Sequence, residues 1–280
     1  MNRQPRQPQP GAIRIGNQTA LAATDPVTPY HFALEHGFDA FEWFSDTRGD
    51  RGFSFEALDA DARARLRRES RIHDIRFSVH SPWQADPWLH RDNEPLERSV
   101  RFAADIGADP VVVHVNDEAD PGAFLEALTP TAELARELGV RLALENTVRA
   151  SPRLFNDLFT GLPLSVSLRP VLGMCLDIGH ANLCPQTMHD YLSYVDQLDE
   201  RVPIIHVHLH ENFGDRDNHM TLFTGPAAND VAGVVGVLDR LRQRDYSGSL
   251  ILEQWPDPPE LLVAARDRLR ELMAQMVSNG

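Results

Sequence analysis

Residues 171–182 read VLGMCLDIGHAN. Six apolar or small residues run without a charge up to Asp177, and His180 follows three positions later. Such a run, polar only at its carboxyl end, predicts a buried strand whose exit carries ligand-type side chains. A carboxylate at a strand end with an imidazole in the loop behind it is a donor pair suited to a divalent metal. The same residues also read as a helix cap followed by a loop histidine. The neighbouring strands decide between the two.

Outward from this stretch, short apolar runs alternate with amphipathic segments from residue 11 onward, the mark of βα repetition. Strands are predicted at 12–16, 39–44, 75–80, 110–115, 140–145, 171–177, 202–209 and 248–253. A helix capped by Ser54 is expected to run to Arg71, with Phe55, Leu58, Ala62 and Leu66 near one face. Further helices are expected at 94–106, 121–138, 187–198 and 227–244, with another closing the chain. Eight βα units in roughly 250 residues predict an α/β fold, a single (β/α)8 TIM barrel. It would occupy residues 11–280 behind a disordered polar tail, MNRQPRQPQP, at 1–10. An open doubly wound sheet would need a phosphate-binding glycine pattern at its first turn, and GNQTA at 16–20 is not one.

Composition narrows the chemistry. Hydrophobic residues make up 42% of the 280, enough for a sizeable core. The formal charge of −14 repels a polyanion, and RARLRRESR at 63–71 fits a wet helix face better than a nucleic-acid patch. Duplex nucleic acid is therefore an unexpected partner. Every basic residue is Arg, which excludes a lysine Schiff base, pyridoxal-phosphate chemistry and a P-loop. Cys175 and Cys184 are too few for a disulfide framework. With no apolar leader and no run long enough for a membrane span, a cytoplasmic protein is expected. Self-association into a homo-oligomer stays open.

The strand ends carry the function. His80 ends the third predicted strand, His114 lies beside the end of the fourth, and Glu145 ends the fifth. Asp177 ends the sixth, His208 lies near the end of the seventh, and Glu253 ends the eighth. His180, Asp217 and His219 fall in the loops just beyond. In a barrel all these ends converge on one face, where barrel active sites lie. Strand parity sends Ala143 with Glu145, Cys175 with Asp177, His206 with His208 and Ile251 with Glu253 into the barrel. Carboxylates crowded together raise one another's pKa unless a cation sits between them. Without lysine, that cation is arginine or a metal. Mixed His, Asp and Glu donors suit Zn²⁺ or Mn²⁺ better than Mg²⁺ or Ca²⁺. Cys175 reads as barrel filling and His206 as a layer beneath His208.

These residues sit within FSVHSPW, VVVHVND, LALENT, CLDIGHAN, HVHLHEN, DRDNH and LILEQ. Together they resemble the xylose-isomerase-like barrel superfamily, which includes sugar and sugar-phosphate isomerases and epimerases and the endonuclease IV family. The resemblance implies one divalent metal on Glu145, Asp177, His208 and Glu253, with the two glutamates moving a proton on either side of a sugar carbon. The endonuclease IV side of the resemblance implies three zinc ions. The second would use His80, His114 and a shared Glu145, the third His180, Asp217 and His219. One to three ions of Zn or Mn are thus implied. HGFDAFEWF, with Glu42, is similar to the isomerases' GFDGVEL pattern, whereas MTLFTGPA at 220–227 departs from the leucine-glycine turn of both groups.

The expected activity is a divalent-metal-dependent isomerase or epimerase acting on a small sugar, sugar phosphate or polyol. Glu145 and Glu253 would transfer the proton and His180 would hold a hydroxyl. Glu42, Trp83, Trp88, His210 and Phe213 are the expected substrate contacts, with Trp43 as a further stacking ring. The alternatives are a trinuclear zinc phosphoester hydrolase, a polyol dehydratase sharing the first proton step, and a barrel that only binds sugar or metal.

Overall fold

A computed structural model of the chain describes residues 12–20, 22, 23, 25, 27–48, 51–90, 93–115, 120–161 and 168–278. The predicted tail at 1–10, and Asn116 and Asp117 of the VVVHVND motif, lie outside them. Barrel strands β1 (Arg14–Gln18), β2 (Ala40–Phe44), β3 (Arg76–His80) and β4 (Val111–Val115) make up the first half. Strands β5 (Leu142–Asn146), β6 (Leu172–Asp177), β7 (Ile204–Leu209) and β8 (Ser249–Leu252) make up the second. All eight pair in parallel with their sequence neighbours, and β8 closes on β1. The chain is a (β/α)8 barrel, as its eight apolar runs predict. A small ribbon of Asp46–Arg48 against Arg51–Phe53 extends from β2. Among the described residues no helix is long and apolar enough to cross a membrane.

Alternation along each strand builds two different interiors. Outward residues such as Phe41, Trp43, Phe77, Val113, Leu144, Met174, Leu176 and Leu252 pack against the helices in one large apolar core. Inside the barrel the apolar layer is small, built on Val112, Ala143 and Cys175. Above it the inward positions turn polar. In register, His114 pairs with Glu145, Glu145 with Cys175 and Asp177 with His208. Neighbouring ligand-type residues therefore stand at matched heights.

Local chemistry moves several helix boundaries. The expected 54–71 helix is broken. Ser54 caps only a short 3-10 turn, Phe55–Ala57, and Asp59 starts the α-helix Ala60–His73 by accepting the Ala62 N–H at 2.7 Å. Ser and Asp compete for the cap, and the extended backbone at Leu58 separates their two helices. The expected 187–198 helix shrinks to Tyr191–Asp196, capped by Asp190. That at 227–244 begins only at Ala232 and ends at Gln243. His180, expected in a loop, lies instead in a short helix, Ile178–Leu183. Asp177 caps that helix by accepting the His180 N–H at 2.6 Å. Asp177 thus both ends a strand and caps a helix.

Candidate metal centre

The carboxyl ends of β3 to β8 bring nine predicted ligand residues to one rim. Glu145 is the hub. Its Oε2 lies 3.1 Å from His80 Nε2 and 3.3 Å from His114 Nε2. Its Oε1 lies 3.4 Å from His180 Nδ1 and 3.5 Å from His208 Nδ1. His208 Nδ1 also faces Glu253 Oε1 at 3.1 Å and Asp177 Oδ2 at 3.8 Å. On the far side, Asp217 Oδ2 lies 3.2 Å from both His180 Nε2 and His219 Nε2.

These donors form overlapping sets. His80, His114 and Glu145 make one, and His180, His210, Asp217 and His219 another, each with its ligand atoms within 4.8 Å of one another. Between them lies the Glu145, Asp177, His208 and Glu253 group. Separations of 3.1 to 3.8 Å around His208 Nδ1 suit atoms sharing one ion at bonds of about 2.0–2.2 Å. A second observation supports the fit. His208 Nδ1, Asp177 Oδ2, Glu253 Oε2 and His210 Nε2 are buried and have no hydrogen-bond partner among the described residues. Each such orphan costs about 1–3 kcal/mol, so several at one spot mark a place where a cation belongs.

Backbone contacts hold the imidazoles in place. His80 Nδ1 donates to the Ser81 carbonyl at 2.7 Å, turning Nε2 toward Glu145. Asn146 locks β5 to β6: its side chain donates to the Asp177 carbonyl at 2.9 Å and accepts the Asp177 N–H at 2.8 Å. Its own carbonyl lies 2.9 Å from His180 Nδ1. Sequence reasoning passed over Asn146, although its place directly after Glu145 is a signal. It also passed over Glu211, whose carboxylate accepts N–H groups of Thr224, Gly225 and Ala227 at 3.2, 3.1 and 2.6 Å. That buried carboxylate organises the TGPA turn, the segment where this chain departs from the leucine-glycine pattern.

Left to the protein's own charges, the groups polarise one another. Burial pushes the Glu145 carboxyl up, but His114 and His208, with hydrogen bonds from His114 and His180, hold it well below the ordinary range. Burial wins at Glu253. Helped by Asp177 and Glu145 and opposed by His208, it pushes the carboxyl well above that range. Burial alone would lower His180 and His208, yet surrounding acids raise both well above an ordinary imidazole. For His180 these are Asp177, Asp217 and Glu145. For His208 they are Cys175, Glu253, Glu42 and Glu145.

The expected substrate contacts separate. Glu42 is fully buried beneath the donor set, not on the open rim. Its Oε2 accepts from Ser78 Oγ at 2.9 Å and meets His206 Nε2 at 2.9 Å, while Oε1 lies 3.1 Å from His208 Nε2. A carboxylate behind a metal-facing imidazole fixes its orientation and raises its basicity. Glu42→Gln is expected to weaken the central ion 10- to 100-fold, measured by competition with a chromogenic chelator. Trp83 and Phe213 are exposed, at 47% and 62%, and Trp88 is half-buried against the core. Trp43 does not reach the rim. It packs in the outer core with Tyr30, Phe41, Phe53 and Phe77, because its parity is opposite to that of Glu42.

The family model described as the xylose isomerase-like TIM barrel matches residues 30–272. The chain belongs to that family. Among curated relatives, the uncharacterized protein y4fM of Sinorhizobium fredii is 28% identical over 160 residues, covering 53% of this chain and 48% of that protein. The match thus spans about half of the relative. Among solved structures, a D-tagatose 3-epimerase-like protein superposes with a TM-score of 0.75 at 20% identity, over 95% of this chain and 99% of its own. Endonuclease IV from Thermus thermophilus superposes at 0.67 and 23% identity, over 94% and 99%. At these identities the likeness is one of fold. Both branches of the resemblance read from the motifs are thus present among its neighbours.

Proposed function

We propose that this family member is a divalent-metal-dependent isomerase or epimerase of a small sugar or polyol. The carrying observation is that Glu145 and Glu253 approach His208 Nδ1 at 3.5 and 3.1 Å, two carboxylates facing one centre. A pair so placed is what proton removal and return on one substrate need. A divalent ion bound there supplies Lewis acidity to a carbonyl and its neighbouring hydroxyl. One of Glu145 and Glu253 accepts the proton from the carbon beside the carbonyl, and the other returns one to the substrate. Asp177 and His208 complete the donor set, Glu42 fixes the imidazole, and Trp83 and Phe213 are exposed rings available to cover a bound sugar. Zn²⁺ or Mn²⁺ fits the mixed nitrogen and oxygen donors. The chain's free Cys175 and Cys184 fit a reducing compartment such as the cytoplasm.

The test is ketose turnover in D₂O followed by proton NMR. Deuterium should enter at the carbon beside the carbonyl, and Glu253→Gln should slow this about 100- to 10,000-fold. A dehydratase would share the wash-in but lose water. A second reading, phosphoester hydrolysis on three zinc ions, is favoured by one feature: His80 and His114 converge on Glu145 Oε2. Cleavage of an abasic oligonucleotide, with no wash-in from any ketose, would replace the first reading by the second. Sugar binding without turnover would reduce the protein to a binding barrel.

A further inference from the structure

His210, directly after β7, is 2% exposed, and neither of its ring nitrogens has a hydrogen-bond partner among the described residues. Its Nε2 lies 3.1 Å from Asp177 Oδ1 and 3.8 Å from Asp217 Oδ1. Its ligand atom stands within 4.8 Å of those of His180, Asp217 and His219. The ring is held there from both sides. It stacks on His219 with centroids 3.9 Å apart and planes 8° from parallel, so one of the two rings must turn for both nitrogens to reach a shared ion. It also occupies the space a side chain at 179 would fill, since a Cβ on Gly179 would fall 2.0 Å from its Cε1. The glycine in DIGHAN thus makes room for an imidazole from the end of the next strand.

We propose that His210 is a fourth protein ligand at this end of the rim. With His180, Asp217 and His219 it makes a closed zinc site that pins the 211–219 loop to the barrel. The inference rests on the metal-binding reading of the rim and adds a ligand and a role to it. Four protein donors fill tetrahedral zinc, and sites so filled are structural, whereas catalytic sites keep a position open. Three imidazoles and one carboxylate also favour zinc over magnesium or calcium. The ligands come in pairs from two parts of the fold: His180 and His210 from the barrel ends, Asp217 and His219 from the loop. An ion joining them acts as a cross-link, holding His219 in its left-handed backbone conformation, φ 43°.

Full-length protein loaded with zinc alone tests this. Diffraction at the zinc edge should place a peak about 2.0–2.1 Å from His210 Nε2. His210→Gln, and separately Gly179→Ala, should each weaken one zinc by about 100-fold or more in chelator competition. In zinc-loaded protein, both should open the 211–219 loop to protease. Gly179→Ala places a better helix former in the helix Ile178–Leu183 and keeps every donor, so it reads the same displacement without removing a ligand. Two outcomes overturn the proposal while leaving the rim a metal centre. In one, zinc sits at this end with water as its fourth ligand and His210 Nε2 beyond about 3 Å. In the other, both variants hold zinc as tightly as the native chain. If zinc binds nowhere, this inference falls together with the metal reading itself.

Discussion

Glu145→Gln should strip two of the three donor sets at once. Its Oε2 serves His80 and His114 and its Oε1 serves His180 and His208, so a single carboxylate joins the first set to the central one. An amide presents one neutral oxygen where two charged ones stood, and a divalent ion binds it far more weakly. Elemental analysis of the zinc-loaded variant should show the central ion lost, and with it any ion held on His80 and His114. One tight ion should remain on His180, His210, Asp217 and His219. Turnover should fall at least about 1,000-fold, or about 4 kcal/mol of barrel-rim assistance to the reaction. Unchanged metal content and unchanged turnover would remove Glu145 from the centre. Loss of every ion would show that the loop-side set cannot stand without its neighbours.

The second large effect links metal to protons. The folded chain raises His180 and His208 above their unfolded value of about 6.5. The stability they contribute is therefore complete below that pH and is lost as pH rises through their folded values. The central ion needs His208 neutral and the raised Glu253 ionised, so its binding releases about two protons, while an ion at the loop end needs His180 neutral. Affinity should climb about 100-fold per pH unit below the folded values, which is about 2.7 kcal/mol per unit. The gap in Tm between zinc-loaded and chelated protein should widen by roughly 5 °C per unit as pH rises toward those folded values. Turnover should fail below about pH 6 for the same reason. Calorimetry in buffers of different ionisation enthalpy counts the protons directly. A Tm gap independent of pH would mean that the imidazoles are not displaced.

Glu42 shows where reading by motif reaches its limit. Strand periodicity places it inward, opposite to Phe41 and Trp43, and the resemblance makes it a substrate contact. Which of these matters depends on depth. In the folded barrel Glu42 stands at the level of Ser78, one layer below His80, and is closed off by His206 and His208. Alternation along a strand gives the side of the sheet but not the height relative to the neighbouring strands. Height follows from the stagger of the closed barrel, which is set by all eight strands together. Trp43 fails as a rim residue for the simpler reason of parity.

Helix ends are less legible than strands. Competing caps such as Ser54 and Asp59 are locally near-equal, and the packing of Phe55 and Leu66 decides where the chain turns. His180 shows the same principle at the rim. Asp177 is legible both as a strand end and as a cap, but only the folded chain lets one carboxylate be both. One of its oxygens holds the helix N-terminus and the other is left for the centre.

By itself the sequence determined the (β/α)8 architecture, because eight apolar runs separated by amphipathic segments have few other ways to bury their faces. It also determined that acids and imidazoles would collect at the carboxyl ends of the strands, since those residues terminate the runs. Tertiary structure alone decided which donors share an oxygen. It set Glu145 between two groups, put Glu42 behind His208, and fitted His210 into the space over Gly179. Those relations join residues far apart in the chain, and their distances depend on barrel stagger and on the absence of one side chain, neither of which periodicity records.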